Sequence, residues 1–335
     1  MKPGEPGTFL PGEHGTPWEP PRPRLPVLPE GLPDDRPVPK RRKVLITGGS
    51  SGIGAAAAGE FAARGFHVAV TGRDSRALDQ VARVTGGVSI PGDLREPGCP
   101  RRVVDAAAVA LDGLDVVVSN AGVGWAGPFT EMTDEEMDEL LDVNLRAPAH
   151  VAHAALAYLR PETGHLVFVG SIAGLLGVAE ETWYSATKAG LGMLADVLRA
   201  ELRAEHIGLS LVLPGVVDTP YFDRRKVPYQ RRYPRLIAAQ VVATAIADAV
   251  EQRRDTVVVP EWLGWPARLK GGFPALYRRL ERWLDSGGGS SGPTGQGKHS
   301  GQRKHSDQGK GGRWHGGKRS PVVRPAGPWP RNADA

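Results

Sequence analysis

The stretch Lys43-Val-Leu-Ile-Thr-Gly-Gly-Ser-Ser-Gly-Ile-Gly54 organises the rest of this 335-residue chain. It begins with a short apolar run rich in β-branched residues, which is typical of a buried parallel strand. The glycines that follow, Gly48, Gly52 and Gly54, permit positive φ and let a backbone approach a ligand closely. Ile53 and the alanines after it then predict a helix. A strand, a glycine loop and a helix N-terminus together predict an anion site suited to a dinucleotide pyrophosphate; a purely structural turn is the alternative.

Strands and helices alternate from this stretch onwards. Strands are predicted at 44–46, 67–71, 88–90, 115–119, 165–169, 209–213 and 256–259. Helices are predicted near 53–64, 75–84, 101–111, 133–158, 182–205 and 238–252. Ser75 is expected to cap the second helix, Thr133 and Glu136 form a capping-box pattern, and Pro148 is expected to bend the long helix. The pattern predicts an α/β fold: a Rossmann-like, doubly wound parallel seven-stranded sheet with helices on both faces.

Charge and composition divide the chain into four regions. Residues 1–39 hold 12 prolines and carry 4 Lys/Arg against 6 Asp/Glu, and we expect a disordered arm there. Residues 40–260 are expected to form the Rossmann-fold domain. Residues 261–285 form an aromatic and basic segment, and 286–335 a disordered Gly/Ser-rich tail with 9 Lys/Arg against 2 Asp/Glu. The net charge of +5 therefore belongs to the tail and does not indicate the ligand of the domain.

Cysteine usage and the termini suggest a location. Cys99 is the only cysteine, so an internal disulfide is impossible and a reducing compartment is expected. The N-terminus lacks the apolar core of a secretory signal, and no run approaches the roughly 20 apolar residues of a membrane span. We therefore expect a cytoplasmic protein, with peripheral membrane contact as an open alternative. The basic tetrad 40–43 is better explained as a solvated strand start than as a nucleic-acid signal.

Tyr184-Ser-Ala-Thr-Lys188 begins a predicted helix, where i, i+4 spacing puts the phenol and the ammonium on one face. A free phenol has a pKa of about 10, and a nearby ammonium or cationic nicotinamide would favour the phenolate. We therefore expect the pKa of Tyr184 to be lowered, which suits an acid/base group. The same pattern also occurs by chance on protein surfaces. Ser171, at the end of a predicted strand, adds a hydroxyl that can hold a substrate carbonyl, and Asn144 adds an amide from the long helix.

These four side chains resemble the catalytic tetrad of the short-chain dehydrogenase/reductases in their single-domain form. The loop around Gly48 is similar to the T-G-x-x-x-G-x-G loop of that family, and the resemblance covers about residues 43–259. It implies an oxidoreductase domain in which Tyr184 is the acid/base and Lys188 tunes it and binds the nicotinamide ribose. It also implies that Ser171 orients the substrate and that Asn144 holds a proton-relay water.

The resemblance extends to the segments after the other strands. Asn120-Ala-Gly122 is similar to the N-A-G segment of the family, with Ser119 in place of a common second asparagine. Asp93 matches the acid near the adenine, and Pro214-Gly-Val-Val-Asp-Thr219 matches the P-G-x-V-x-T turn whose threonine contacts the carboxamide. The cofactor-binding residues that the resemblance implies are Thr47, Gly48, Ser50, Ser51, Gly52, Ile53, Gly54, Arg73, Asp93, Leu94, Asn120, Ala121, Gly122, Tyr184, Lys188, Pro214, Gly215, Val217 and Thr219. No metal site is expected.

The choice between NADP and NAD depends on the end of the second predicted strand. An acid there would bind the ribose 2′-hydroxyl and select NAD. This chain has Gly72 at that position, followed by Arg73, whose guanidinium suits a 2′-phosphate. NADP(H) is therefore the expected cofactor. NAD(H) is the alternative, with Asp74 binding the ribose and Arg73 facing solvent.

Two segments near the predicted substrate entrance carry aromatic and basic side chains. Residues 220–235 hold cations and tyrosines that suit either an anionic or aromatic substrate or a solvated lid surface. Residues 261–284 interleave tryptophans with arginines, and Leu276, Leu280 and Trp283 share one helical face. An amphipathic helix of this kind suits a membrane interface. The alternative is that Trp262, Trp265 and Trp283 pack on the enzyme or on a second subunit; in both cases we expect a lipophilic substrate.

The leading hypothesis is therefore an NADP(H)-dependent oxidoreductase that interconverts a secondary alcohol and a ketone or aldehyde. The alternatives are the same chemistry with NAD(H) and a catalytically silent nucleotide-binding regulator, which would need neither Tyr184 nor Lys188. A nucleic-acid binder acting through the basic tail is a third possibility, and we do not expect nucleic acid as a partner. The resemblance implies a homo-oligomer, either a dimer or a tetramer.

Overall fold

The computed structural model describes residues 41–225, 227, 229, 234–275, 277 and 279. The arm 1–39, the tail 286–335 and the face formed by Leu276, Leu280 and Trp283 lie outside the described residues. The strands are β1 (Lys43–Thr47), β2 (His67–Gly72), β3 (Val88–Pro91), β4 (Val116–Ser119), β5 (His165–Val169), β6 (Gly208–Pro214), β7 (Val217–Asp218), β8 (Ile237–Ala238) and β9 (Thr256–Val259).

Seven of these strands form one sheet in the order β3-β2-β1-β4-β5-β6-β9, and every neighbouring pair is parallel. The predicted seven-stranded parallel sheet is confirmed. The strand order reverses between β1 and β4, and open α/β sheets bind ligands at such a switch point. β7 and β8 pair separately as a short parallel ladder. The fourth strand begins at Val116 rather than at the predicted Asp115, whose carboxylate instead accepts a hydrogen bond of 2.8 Å from the N–H of Lys43.

The helices are α1 (Gly52–Ala63), α2 (Ser75–Thr85), α3 (Cys99–Leu111), α4 (Asp134–Leu141), α5 (Ala147–Ala155), α6 (Ala173–Leu176), α7 (Thr182–Leu202), α8 (Tyr221–Arg224), α9 (Ala239–Glu251) and α10 (Gly264–Gly272). In the described part of the chain, none of them combines the length and the apolar character that a membrane crossing requires.

The sheet is buried on both faces. Val44 and Ile46 belong to a core that includes residues of α1 and α9, whereas Leu45 belongs to a second core that includes residues of α3, α5 and α7. Successive side chains of a strand point to opposite faces, so a strand covered on both sides must be apolar throughout. This requirement explains why β1 reads as a continuous apolar run rather than as an alternating pattern.

The predicted helix 133–158 is interrupted, which corrects the expectation of one continuous element. α4 begins with the predicted capping box of Thr133 and Glu136, but a π-helical turn, Asp142–Arg146, separates it from α5. Pro148 lies directly after this wide turn and has no N–H to donate to the carbonyl of Asn144, four residues back. What the structure shows near the proline is this wide turn, and the bend expected at Pro148 stays a prediction. α5 ends at Ala155 rather than at Tyr158.

Three further boundaries differ from prediction. Asp74, rather than Ser75, caps α2, because its carboxylate accepts a hydrogen bond of 3.0 Å from the N–H of Ala77. α7 ends at Leu202, short of the predicted residue 205. The segment after β9 is not one amphipathic helix over its described part: a 3₁₀ turn, Glu261–Leu263, leads into α10, and α10 stops before Phe273.

Candidate active site

A cavity of about 600 Å³ opens at the carboxyl ends of the strands. Most of the predicted cofactor and catalytic residues line it; the exceptions are Thr47, Gly54 and Asn144. The lining residues from the prediction are Gly48, Ser50, Ser51, Gly52, Ile53, Arg73, Asp93, Leu94, Asn120, Ala121, Gly122, Ser171, Tyr184, Lys188, Pro214, Gly215, Val217 and Thr219. The three exceptions lie just behind the lining residues. Thr47 and Asn144 form hydrogen bonds with the backbone of the lining loop, and Gly54 leaves space for the backbone of Gly48.

Thr47 joins the loop after β1 to the loop after β4. Its buried hydroxyl accepts hydrogen bonds of 3.0 Å from the N–H groups of both Asn120 and Ala121. In return, the Asn120 amide donates to the carbonyls of Thr47 at 2.9 Å and Gly48 at 3.3 Å. Four hydrogen bonds therefore hold together the two loops, which lie on opposite sides of the switch point.

The close packing of the glycine loop explains two of its glycines. A Cβ on Gly54 would overlap the carbonyl oxygen of Gly48 and lie 2.6 Å from Asn120 Nδ2. Gly48 has φ of +66°, and a Cβ there would lie 2.8 Å from the Cα of Ala121. The tight loop delivers the first turn of α1 to the cavity, where a helix N-terminus offers N–H groups and a positive dipole to a phosphate. The loop and helix therefore fit the pyrophosphate of a dinucleotide.

The ends of β2 and β3 carry charged side chains at one end of the cavity. Arg73 and Asp74 are both exposed and both line the cavity, and the carboxylate of Asp74 also serves as the cap of α2. Asp93 forms a short ion pair of 2.6 Å with Arg95, and this guanidinium holds the pKa of Asp93 below its usual range. Arg95 also reaches Glu139 at 2.8 Å. One edge of the site thus presents two arginines, of which one is already paired with acids.

Asn144 sits in the π-helical turn and is fully buried. Its amide oxygen accepts from the N–H of Val123 at 3.0 Å, and its amide nitrogen donates to the carbonyl of Val123 at 2.9 Å. π-helical turns inside α-helices are frequent at functional sites because they redirect one side chain. Here the turn aims Asn144 at the loop after β4. The expected role of Asn144 in holding a water stays a prediction.

Ser171, Tyr184 and Lys188 come together on one wall of the cavity. Ser171 is close enough to the Tyr184 hydroxyl to favour its ionisation, and the Lys188 ammonium lies 5.9 Å from the centre of the Tyr184 ring. Lys188 is almost fully buried and donates to the carbonyl of Val169 at 3.2 Å. Parallel strand β5 and helix α7 therefore bring together three side chains that the sequence separates by up to seventeen positions.

Burial shifts the pKa of both ionisable groups on this wall. The pKa of Lys188 falls to about 8 because burial disfavours the ammonium. The pKa of Tyr184 is raised because burial disfavours the phenolate, and hydrogen bonds to Ser171 and Tyr221 oppose that shift. The prediction that the lysine lowers the pKa of Tyr184 is therefore wrong for the protein by itself, since desolvation is the largest effect.

The segment after β7 lines the cavity as a lid, and the sequence analysis considered it only as the stretch 220–235 without assigning roles to single residues. Tyr221, Phe222 and Arg224 of α8 line the cavity, and Arg224 donates to Ser51 Oγ of the glycine loop at 3.2 Å. Arg225, mostly buried, pairs with Glu181 just before α7. The only sequence signal for these residues was their position two to six places after Thr219, within a segment rich in aromatic and basic residues.

Comparison with known proteins places this site in a family. The family model of short chain dehydrogenases matches residues 42–228. The 3-oxoacyl-[acyl-carrier-protein] reductase MabA of Mycobacterium bovis is 33% identical over 179 residues, which cover 53% of this chain and 70% of that protein. The 11-beta-hydroxysteroid dehydrogenase 1A of Arabidopsis thaliana is 33% identical over 183 residues, covering 52% of each chain.

A similar solved structure belongs to the same family of short chain dehydrogenases. A short chain dehydrogenase from Burkholderia cenocepacia in complex with NADP superposes with a TM-score of 0.59 at 31% identity, covering 65% of this chain and 95% of that one. The family match spans more than half of the present chain, from the first strand to the lid. The chain belongs to the short-chain dehydrogenase family and is an oxidoreductase that acts on CH–OH groups with a nicotinamide cofactor.

Proposed function

We propose that this enzyme interconverts a secondary alcohol and a ketone or aldehyde, with Tyr184 as the acid/base group. The observation that carries the proposal is the meeting of Ser171, Tyr184 and Lys188 on one wall of the cavity. The nicotinamide supplies the hydride acceptor or donor when it is bound. The residues of the chain must then bind the substrate oxygen and move its proton.

Each residue has a role that follows from its surroundings. The Ser171 hydroxyl, which lines the cavity beside Tyr184, can hold the substrate oxygen next to the phenol. Tyr184 then gives its proton to that oxygen during reduction and accepts it during oxidation. Lys188, with its pKa of about 8, can exchange protons near neutral pH from beneath the tyrosine. Asn144 holds the backbone at Val123 and so keeps the opposite loop in position.

We further propose that NADP(H) is preferred over NAD(H). Arg73 is exposed at the cavity wall, where a guanidinium can form forked hydrogen bonds with a 2′-phosphate. The competing arrangement needs the Asp74 carboxylate to bind the ribose hydroxyls, but that carboxylate caps α2.

A lipophilic substrate is the third element of the proposal. The lid turns three aromatic rings towards one another: Phe222 lies 5.4 Å from Tyr221 and 5.6 Å from Tyr229, measured between ring centres. Such a lid offers an apolar surface above the reactive hydroxyl. Two relatives named for acyl and steroid substrates support the same substrate class.

Two proposed contacts involve surfaces away from the cavity. Met193 and Val197 lie one turn apart on α7 with 65% and 53% of their surface exposed, which favours a homo-oligomer through that helix. Trp262 and Trp265 are also largely exposed, at 53% and 71%. Half or more of each side chain is therefore left uncovered by its own domain, and either a second subunit or a membrane surface would cover this part.

A substrate panel followed by NADPH absorbance tests the proposed function. Ketones and aldehydes of increasing chain length should be reduced by the wild type, with the longer ones favoured. Tyr184→Phe should cut turnover by about two or more orders of magnitude while cofactor still binds, because only the proton transfer is lost. Tyr229→Phe, which removes another phenol of the lid, is the matched control. Turnover at the wild-type level in Tyr184→Phe would refute the assignment.

A further inference from the structure

The lid carries a second phenol that reaches the reactive hydroxyl. Tyr221 opens α8, and its ring centre lies 6.1 Å from that of Tyr184 at an angle of 55°. The two hydroxyl groups are close enough for each to act on the ionisation of the other. The N–H of Tyr221 donates to Thr219 Oγ1 at 3.4 Å, which ties the start of α8 to the turn after β7.

The protein provides a defined seat for this ring. A Cβ on Gly124 would overlap the hydroxyl and the ring of Tyr221, so the glycine is needed wherever the phenol occupies this position. On the other side, Phe222 packs edge-on at 89°. Arg225 lies 4.9 Å from the Phe222 ring centre and pairs with Glu181, three residues before Tyr184. The lid is thus joined to the start of α7 at two points.

A hydrogen bond between the two phenols has a fixed polarity once Tyr184 is ionised. A phenolate has no proton to give and can only accept, so the neutral Tyr221 hydroxyl is then the donor. Burial raises the pKa of Tyr221 well above its usual range, which keeps this hydroxyl protonated. Glu181 and Arg225 are the charged groups near the pair: Glu181 raises the pKa of both phenols, and Arg225 lowers it. Lys188 faces the Tyr184 ring from below.

We propose that Tyr221 is a positioning residue: from the closed lid it donates a hydrogen bond to Tyr184 and so prepares that hydroxyl to accept a proton from the substrate. The inference rests on the proposed function, because it assigns a donor to the acid/base group. It also gives the lid a part in the chemistry, since lifting α8 would remove the donor.

The test compares three variants in alcohol oxidation at saturating cofactor. Tyr221→Phe removes the donor and keeps the ring. Gly124→Ala displaces the ring without altering it, and Tyr229→Phe is the matched control, since that hydroxyl donates to the carbonyl of Pro234 at 2.8 Å. The rising limb of kcat/KM against pH reports the ionisation of Tyr184. It should move to higher pH by roughly half to one unit in Tyr221→Phe and Gly124→Ala, the size expected for one lost hydrogen bond, and should not move in Tyr229→Phe.

A second measurement does not depend on turnover. The chain has six tyrosines, so protein labelled with ¹³C at the tyrosine ring gives six Cζ resonances, and Tyr184→Phe identifies the one of interest. That resonance should shift in Tyr221→Phe and in Gly124→Ala, and should stay in place in Tyr229→Phe. An unmoved resonance together with an unmoved pH limb would overturn the inference. An enzyme in which Tyr184→Phe retains activity would instead refute the proposed function, whatever the resonances show.

Discussion

Replacing Arg73 by glutamine should reduce the affinity for NADPH and leave that for NADH nearly unchanged. A hydrogen bond to a charged group contributes about 1.5–3 kcal/mol. Arg73 is exposed, so water and salt weaken its bond, and the lower end of that range applies. A loss of about 1.5 kcal/mol corresponds to roughly a tenfold rise in the Kd of NADPH. For NADH, which has no 2′-phosphate, the expected change is less than about twofold.

The assay is a titration of intrinsic fluorescence or heat with each cofactor at low and high salt. Arg76→Gln is the matched control, because Arg76 is an exposed arginine three residues further on, in the first turn of α2, and does not line the cavity. The loss in Arg73→Gln should shrink as salt is raised, since screening weakens the bond in the wild type. Equal losses for NADPH and NADH would refute the assignment of Arg73 to the 2′-phosphate.

A companion variant examines the alternative for Asp74. Asp74→Ala removes the cap of α2 and should lower the free energy of unfolding by about 1 kcal/mol. If Asp74 acts only as a cap, the affinity for NADH should be preserved in the folded variant. A selective loss of NADH binding would show that the carboxylate leaves the helix end to bind the ribose, and would restore NAD as the preferred cofactor.

Three further outcomes are expected. The pKa of Lys188 is lowered in the folded state, so the free energy of unfolding of the wild type should rise between about pH 8 and 10.5. Measured by urea unfolding, this rise should exceed that of Lys188→Met by about 3 kcal/mol. Equal pH dependence of the free energy of unfolding in the two proteins would contradict it. If Trp262 and Trp265 contact membranes, the wild type should co-sediment with anionic liposomes. The double variant Trp262→Ser, Trp265→Ser should stay in the supernatant, whereas the exposed control Val84→Ser should still co-sediment. Absence of pelleting at low salt would leave subunit contact. A chain limited to 40–285 should retain full activity; a folded but inactive product would contradict the dispensability of the two ends.

The sequence was sufficient to predict those parts of the fold that depend on one local pattern. The apolar runs at β1 and β5 and the capping box at Thr133 predict their own structure, because each needs only its neighbours in the chain. The π-helical turn around Asn144 was not predictable in this way. Pro148 signals a disturbance in this helix, but it does not specify that the preceding turn takes in one extra residue.

The same distinction holds for the site. Ser171, Tyr184 and Lys188 could be named because their spacing resembles a known pattern, but the direction of the Tyr184 pKa could not. That direction is set by burial, which outweighs the opposing effect of a hydroxyl from Tyr221, 37 positions away in the chain. The role of Gly124 likewise could not be predicted from the sequence, because it depends on the Tyr221 ring that packs against it.

The four hydrogen bonds between Thr47 and Asn120 and their neighbours have a thermodynamic consequence for ligand capture. The polar groups that fix the two loops are satisfied within the protein, so the crevice is already preorganised when a dinucleotide arrives. Ordering a loop residue costs about 1–2 kcal/mol in backbone entropy. Because these loop residues are already ordered in the folded protein, that cost does not reduce the free energy of cofactor binding. Thr47→Val should therefore weaken the binding of NADPH and NADH by the same factor and through the entropy of association, with no effect on the discrimination between them.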